Sequence, residues 1–97
     1  MYARVVNSQL QPGKRDEWIA ILRDSIVPAA KQQPGFKGFV VLADPNGDKG
    51  IAYSIWKTAA DLKASETNHF YQEQIAKLKG VLAAPPVREI HELIVLA

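Results

Sequence analysis

Few side chains in this sequence are equipped for chemistry. His69 is the most reactive of them, because a neutral imidazole is a general base near neutral pH. It stands at the start of a helical segment whose apolar stripe is Tyr71, Ile75, Leu78 and Leu82. At about 100° per residue, His69 lies roughly 160° from the direction set by Tyr71 and Ile75. Two placements follow: a solvent-facing or capping imidazole if the helix includes it, and a pocket-facing one if the helix starts after it. Asn7 shares the parity of Ala3 and Val5, where an amide can orient a ligand oxygen or bond backbone at a strand bend. Trp56, with Tyr53 behind it, and Tyr71 from the helix stripe can wall an aromatic ligand; the plainer role for such a ring is core or dimer contact.

His91 alternates with apolar neighbours near the C-terminus, which fits an interface histidine better than a metal ligand. The two histidines have no matching cysteine or carboxylate pattern around them, so no metal site is expected. Nucleophile elbow, phosphate loop, dinucleotide fingerprint and HExxH are all missing. Any catalysis must therefore run without a stored nucleophile, nicotinamide or metal, and no cofactor is expected. A total of 12 basic against 10 acidic residues leaves a net charge of +2, with the basic residues scattered, so no nucleic-acid surface is indicated. The apolar runs are far shorter than the ~20 residues of a membrane span. The start of the chain has no secretory pattern and there is no cysteine, which fits a cytoplasmic protein.

The elements that must position these residues come in a clear order. Residues 2 to 10 form a first strand, closed by Gln11-Pro12-Gly13. From Lys14 to about Gln33, Trp18, Ile21, Leu22, Ile26, Ala29 and Ala30 recur at helical spacing, with a kink expected at Pro28. Phe36 to Ala43 and Ile51 to Lys57 form a hairpin across Asp44 to Gly50. Thr58-Ala59-Ala60-Asp61 opens a short helix as a capping box, and Asn68 caps a longer one that ends near Gly80. Val87 to Leu96 is the last strand. The 97 residues suffice for one domain. The order β, α, β, β, α, β predicts an α+β, ferredoxin-like fold: a four-stranded antiparallel sheet with two main helices on one face.

The sheet's second face carries its own implication. Phe39-Val40-Val41-Leu42 and Leu93-Ile94-Val95-Leu96 are apolar on both parities, whereas a solvated face should alternate with polar residues. Helices cover one side only. A second copy of the sheet, packed isologously, is the simplest cover, so a homodimer through the helix-free face is expected. Either Val40 or Val41 should face that partner.

Gln11-Pro12-Gly13, Pro28 with Gln33-Pro34-Gly35-Phe36, and Tyr53 to Ala64 leading to Thr67-Asn68-His69-Phe70 together resemble the antibiotic biosynthesis monooxygenase family of dimeric α+β barrels. That resemblance implies a cofactor-independent monooxygenase using molecular oxygen on a small aromatic hydroxylated, quinol- or anthrone-like substrate. It casts His69 as base, Asn7 as orienting group, and Trp56 and Tyr71 as substrate contacts. The chain departs from the family pattern at Ser65, where members often carry a second His, and at Ala52, where quinone-forming members carry Asn. Residues near Glu66 and Gln74 to Ala76 do not supply the ligands of haem-degrading members, so no haem is expected. The alternative reading is a non-catalytic homodimer that binds a small aromatic ligand.

Overall fold

The computed structural model describes residues 1–97. Its elements are β1 (Tyr2–Gln9), α1 (Arg15–Ile21), a π-helical turn (Leu22–Ile26), α2 (Val27–Ala30), β2 (Phe36–Ala43), β3 (Lys49–Trp56), α3 (Ala59–Thr67), α4 (Phe70–Ala76) and β4 (Val87–Glu92). All strand pairs are antiparallel, in the order β2-β3-β1-β4. This is the expected ferredoxin-like α+β arrangement. No helix is long and apolar enough to cross a membrane.

Register decides which side chains meet the helices. Arg4 pairs with Ser54 and Ile90, and Val6 with Ala52 and Arg88. Directly opposed residues share a face, and Arg4 bonds to Ser65 of α3, so this parity looks toward the helices. Phe39 and Val41 of β2, paired with Ser54 and Ala52, join it and pack on the main core of Leu10, Trp18, Leu22, Ile26, Ala52, Leu78 and Val81. The other parity, with Val5, Asn7, Val40, Leu42, Ile51, Tyr53 and Val87, faces away from the helices. Val40, not Val41, is therefore the residue on the helix-free side. Leu42 there is 46% exposed and Val87 59%.

Several boundaries differ from those expected, each for a local reason. The kink anticipated at Pro28 takes the form of a wide turn just before it, closed by the Val27 N–H on the Leu22 carbonyl. Pro28 has no N–H to continue the ladder, so the widened turn takes up the interruption and keeps both Leu22 and Ile26 buried. The α4 helix stops at Ala76, short of Gly80, because Lys77, Leu78 and Lys79 bond to carbonyls three residues back. That tighter turn buries both Leu78 and Val81. β3 begins at Lys49, since Gly50 already pairs with Ser8 and Ala43. β4 ends at Glu92, and Ile94, Val95 and Leu96 are exposed. At the start of α3, Thr58 Oγ1 accepts from the Asp61 N–H at 3.0 Å as expected, but the Asp61 carboxylate takes the Thr58 hydroxyl at 2.9 Å instead of a backbone N–H.

One close approach fixes α1 to the sheet. A Cβ on Gly50 would stand 2.5 Å from Trp18 Cη2, so the indole lies directly on the backbone of β3. Gly50→Ala should destabilise the chain by roughly 1–3 kcal/mol in urea unfolding, the usual cost of overpacking. Gly80→Ala, with nothing within 4 Å of the added methyl, serves as the comparison and should change stability little. Equal stabilities for the two variants would contradict this packing.

Candidate functional site

The space between sheet and helices is organised by a buried cation. Strand β1 points Arg4, only 4% exposed, into the helix side. Its Nη1 donates to Ser65 Oγ at 2.8 Å and to Glu66 Oε2 at 3.4 Å, both from α3. The Ser65 hydroxyl passes its own proton to the Leu62 carbonyl at 2.6 Å, so it can receive Arg4 only as an acceptor. The guanidinium lies over the Tyr71 ring, 4.3 Å from its centroid, and 5.5 Å from that of Trp56. Glu66 also pairs with Arg88 at 3.1 Å. Two cations thus share one carboxylate. Burial lowers the pKa of the Arg4 guanidinium, and Glu66 opposes that shift. Burial raises the Tyr71 phenol, while Arg4 and Arg88 pull it down.

A cavity of about 40 Å³ lies beside this cluster, lined mostly by apolar side chains and by Arg4, Ser8, Ser54 and Gln74. That is room for a water-sized group, so a ring can enter only if roofing side chains such as Phe70, Tyr71 and Ile75 move. Trp56 Nε1 donates to Ser54 Oγ at 2.8 Å, whereas the buried Nε1 of Trp18, a residue of the cavity wall, has no partner. The side-chain oxygen of the buried Gln74 is held by Lys77 Nζ at 2.6 Å.

The residues singled out from sequence are not all gathered here. Tyr71 lines the cavity. Trp56 is fully buried beneath Arg4 and packs edge-on against Phe36 at 5.8 Å, as part of the wall behind the guanidinium. His69 is exposed and does not line the cavity. It occupies the joint between α3 and α4 in a left-handed conformation, φ 69°, and Asn68 Oδ1 accepts the Phe70 N–H across it at 2.9 Å. Asn7 keeps the parity of Val5 and lies on the helix-free face opposite Ile51 and Val87, so neither it nor His69 lines the helix-side cavity. The residue that sequence reasoning missed is Arg4. It shares the parity of Val6 and Ser8, which the strand register, not the sequence, turns toward the helices.

The Tyr71 shift has a consequence for stability. A phenol whose pKa is higher in the folded state keeps its proton after the unfolded chain has lost it, so its contribution is intact below the ordinary tyrosine value and lost as pH rises through the folded one. Tyr71→Phe should therefore lose less stability than the parent between about pH 9 and pH 11 in urea titrations. Parallel losses in both proteins would show that the phenol is not protected.

Residues 1–77 match the family model for antibiotic biosynthesis monooxygenase. An uncharacterized Mycobacterium tuberculosis protein, Rv2558, is 35% identical over 65 residues, which cover 67% of this chain and 28% of that protein. This chain therefore spans about a third or less of the curated relatives it matches. The fold is similar to that of SnoaB, a cofactor-independent oxygenase from Streptomyces nogalater, with a TM-score of 0.78 and 12% identity over 95% of this chain and 91% of that one. It is equally similar to the monooxygenase from the gene ActVA-Orf6 of Streptomyces coelicolor, in complex with nanaomycin D, with a TM-score of 0.78 and 16% identity over 99% and 92% of the two chains. With four antiparallel strands, helices on one side and a family match over most of its length, the chain belongs to the antibiotic biosynthesis monooxygenase family.

Proposed function

We propose that this chain is a cofactor-independent monooxygenase acting on a small aromatic hydroxylated compound, of quinol or anthrone type, with molecular oxygen. The observation that carries this reading is the cavity: apolar walls rich in aromatic rings surround a few buried polar groups, in a family whose fold neighbours include oxygenases. The chemistry asks little of the protein. A phenol or anthrone that has lost a proton in an apolar pocket is electron-rich enough to reduce oxygen itself, so the site need only accept the proton, orient the ring and keep water out. In an anthrone the methylene carbon loses two hydrogens, and in a phenolic substrate one ring carbon and the hydroxyl lose one each; in both, that carbon gains one oxygen atom as a carbonyl. The second oxygen atom leaves with those hydrogens as water, so the substrate supplies every electron.

In this reading His69 receives the proton. It stands outside the cavity but directly precedes Phe70 and Tyr71, so the movement of those two side chains that admits the ring must also bring the substrate to the imidazole, whose exposure lets it pass the proton on to solvent. Orientation falls to the polar groups on the helix side, because Asn7 stands on the opposite face. The molecule works as a homodimer joined through the helix-free face, where Val40, Leu42, Ile51 and Val87 form an uncovered apolar surface around Asn7 and Tyr53. The second reading, a ligand-binding protein without a reaction, draws on Ser65 and Ala52. Ser65 is fully occupied by Arg4 and the Leu62 carbonyl, so it has no spare function at the cavity.

Oxygen uptake with anthrone or a naphthoquinol should exceed autoxidation with no added metal, flavin or haem. His69→Ala should reduce it by roughly 10²-fold, the usual contribution of a positioned base, with an unchanged circular dichroism spectrum. Uptake equal to the buffer's across several such substrates removes the enzymatic reading and leaves the ligand-binding one. Light scattering should report about twice the chain mass of 10.7 kDa. Val40→Asp should split or unfold the dimer by burying an unpaired carboxylate, whereas a parent protein that is monomeric at micromolar concentration would contradict the assembly.

A further inference from the structure

The hydrogen-bonding groups around the helix-side cavity are unevenly divided between donors and acceptors. Both side-chain bonds made by the Arg4 guanidinium leave from Nη1, toward Ser65 and Glu66, so its Nε and Nη2 have no protein partner and form the edge of a 4% exposed residue that solvent or a ligand can still reach. Trp18, 1% exposed, also leaves its Nε1 donor without an acceptor. Most buried acceptors nearby are already taken, Ser54 Oγ by Trp56, Ser65 Oγ by Arg4 and the Gln74 carbonyl oxygen by Lys77, which leaves the Ser8 hydroxyl, itself also a donor. Of the charged groups only Arg4 lines the cavity, and it shares the single carboxylate of Glu66 with Arg88, leaving the cluster a formal charge of +1. A buried donor without an acceptor, as at Trp18 Nε1, and a largely buried cation that shares its counter-charge are both costly. A ligand that brings acceptor oxygens and a negative charge relieves both at once.

We propose that the ligand of this cavity is a monoanionic aromatic carboxylate, whose two charged oxygens take the free Arg4 donors while the ring displaces the side chains near Tyr71. The planar guanidinium suits a two-oxygen anion because its N–H groups lie in a fixed fork, and Nε with Nη2 is the edge left open. The ring then meets Tyr71, already stacked on the guanidinium, and an acceptor at its far end satisfies Trp18 Nε1. The inference rests on the oxygenase reading only for its choice of an aromatic ring. For that chemistry Arg4 would be a positioning residue that also favours the ionised substrate. The positive side of the pair is specific to Arg4, because Arg88 is more exposed and retains Glu66 as its partner.

The test compares 4-hydroxybenzoate with 4-hydroxybenzamide, two rings of nearly the same shape that differ in charge, by calorimetric titration at neutral pH. The parent should bind the acid at least tenfold more tightly. Arg4→Met, which keeps the stem of the side chain and leaves the Glu66 to Arg88 pair in place, should abolish that preference; Arg4→Lys, which keeps the charge but loses the fork, should retain only part of it. Trp18→Phe should weaken both ligands alike. If Arg4→Met fails to fold, the parent's own acid-to-amide ratio and the Arg4→Lys variant still decide. Equal binding of acid and amide by the parent overturns the proposal, as does a preference that survives in Arg4→Met. Acid-selective binding without oxygen uptake supports this inference while removing the oxygenase; turnover of neutral quinols with no preference for the acid does the reverse.

Discussion

Arg4 is the constraint around which the helix side of this molecule is arranged. A guanidinium taken out of water needs partners, and the fold supplies them from three elements while leaving the Nε and Nη2 edge open: β3 gives the Trp56 ring, α3 gives Ser65 and Glu66, and α4 gives Tyr71. Each partner fixes a degree of freedom. Ser65 and Glu66 set the depth of α3 over the sheet, and the Tyr71 ring sets the roll of α4 after the turn at His69. The same arrangement confines the charge of the site to one place. Away from Arg4 the space is closed by the apolar contacts of Trp18, Leu22, Ile26 and Leu78, and Gly50 lets the Trp18 ring rest on bare backbone.

The two faces of the sheet divide the labour. Register places Val6 and Ala52 toward the helices and Val5 and Tyr53 away from them. The first face encloses the cavity and the second is the surface proposed to meet another copy. The left-handed residue between α3 and α4 belongs to this plan too. A histidine tolerates that conformation better than a β-branched residue, and Asn68 stabilises it by capping Phe70, so the chain reverses within two residues and brings Phe70 and Tyr71 over the cavity.

Much of the fold was legible in the sequence because the signals were periodic. The stripe of Trp18, Leu22 and Ile26, the Pro-Asn-Gly turn and the Thr58 cap each specify local geometry, and the element order then leaves one common topology. The site was less legible. Asn7 and Arg4 lie three residues apart in one strand, and alternation states only that they point to opposite faces. Choosing which parity meets the helices requires an asymmetry that Val5 and Val6, both apolar, do not supply. An arginine in a strand reads by default as a solvated charge, and its burial depends on Ser65, Glu66 and Tyr71, more than sixty residues away. His69 was legible as a reactive residue at a helix start, but the backbone conformation that turns it outward is set by how α3 and α4 join.

The central claim is that ligands engage the helix-side cavity at Arg4, and indole N–H resonances test it most directly. In a spectrum of uniformly nitrogen-labelled protein the two Trp Nε1–H signals have different partners: Trp56 bonds to Ser54, and Trp18 has none. Titration with a hydroxylated aromatic acid should shift both signals together with the Arg4 Nε–H and the Tyr71 amide, and saturate with a single affinity. Shifts confined to the amides of Asn7, Leu42, Ile51 and Val87, with both indoles unmoved, would put the ligand on the opposite face and contradict the account.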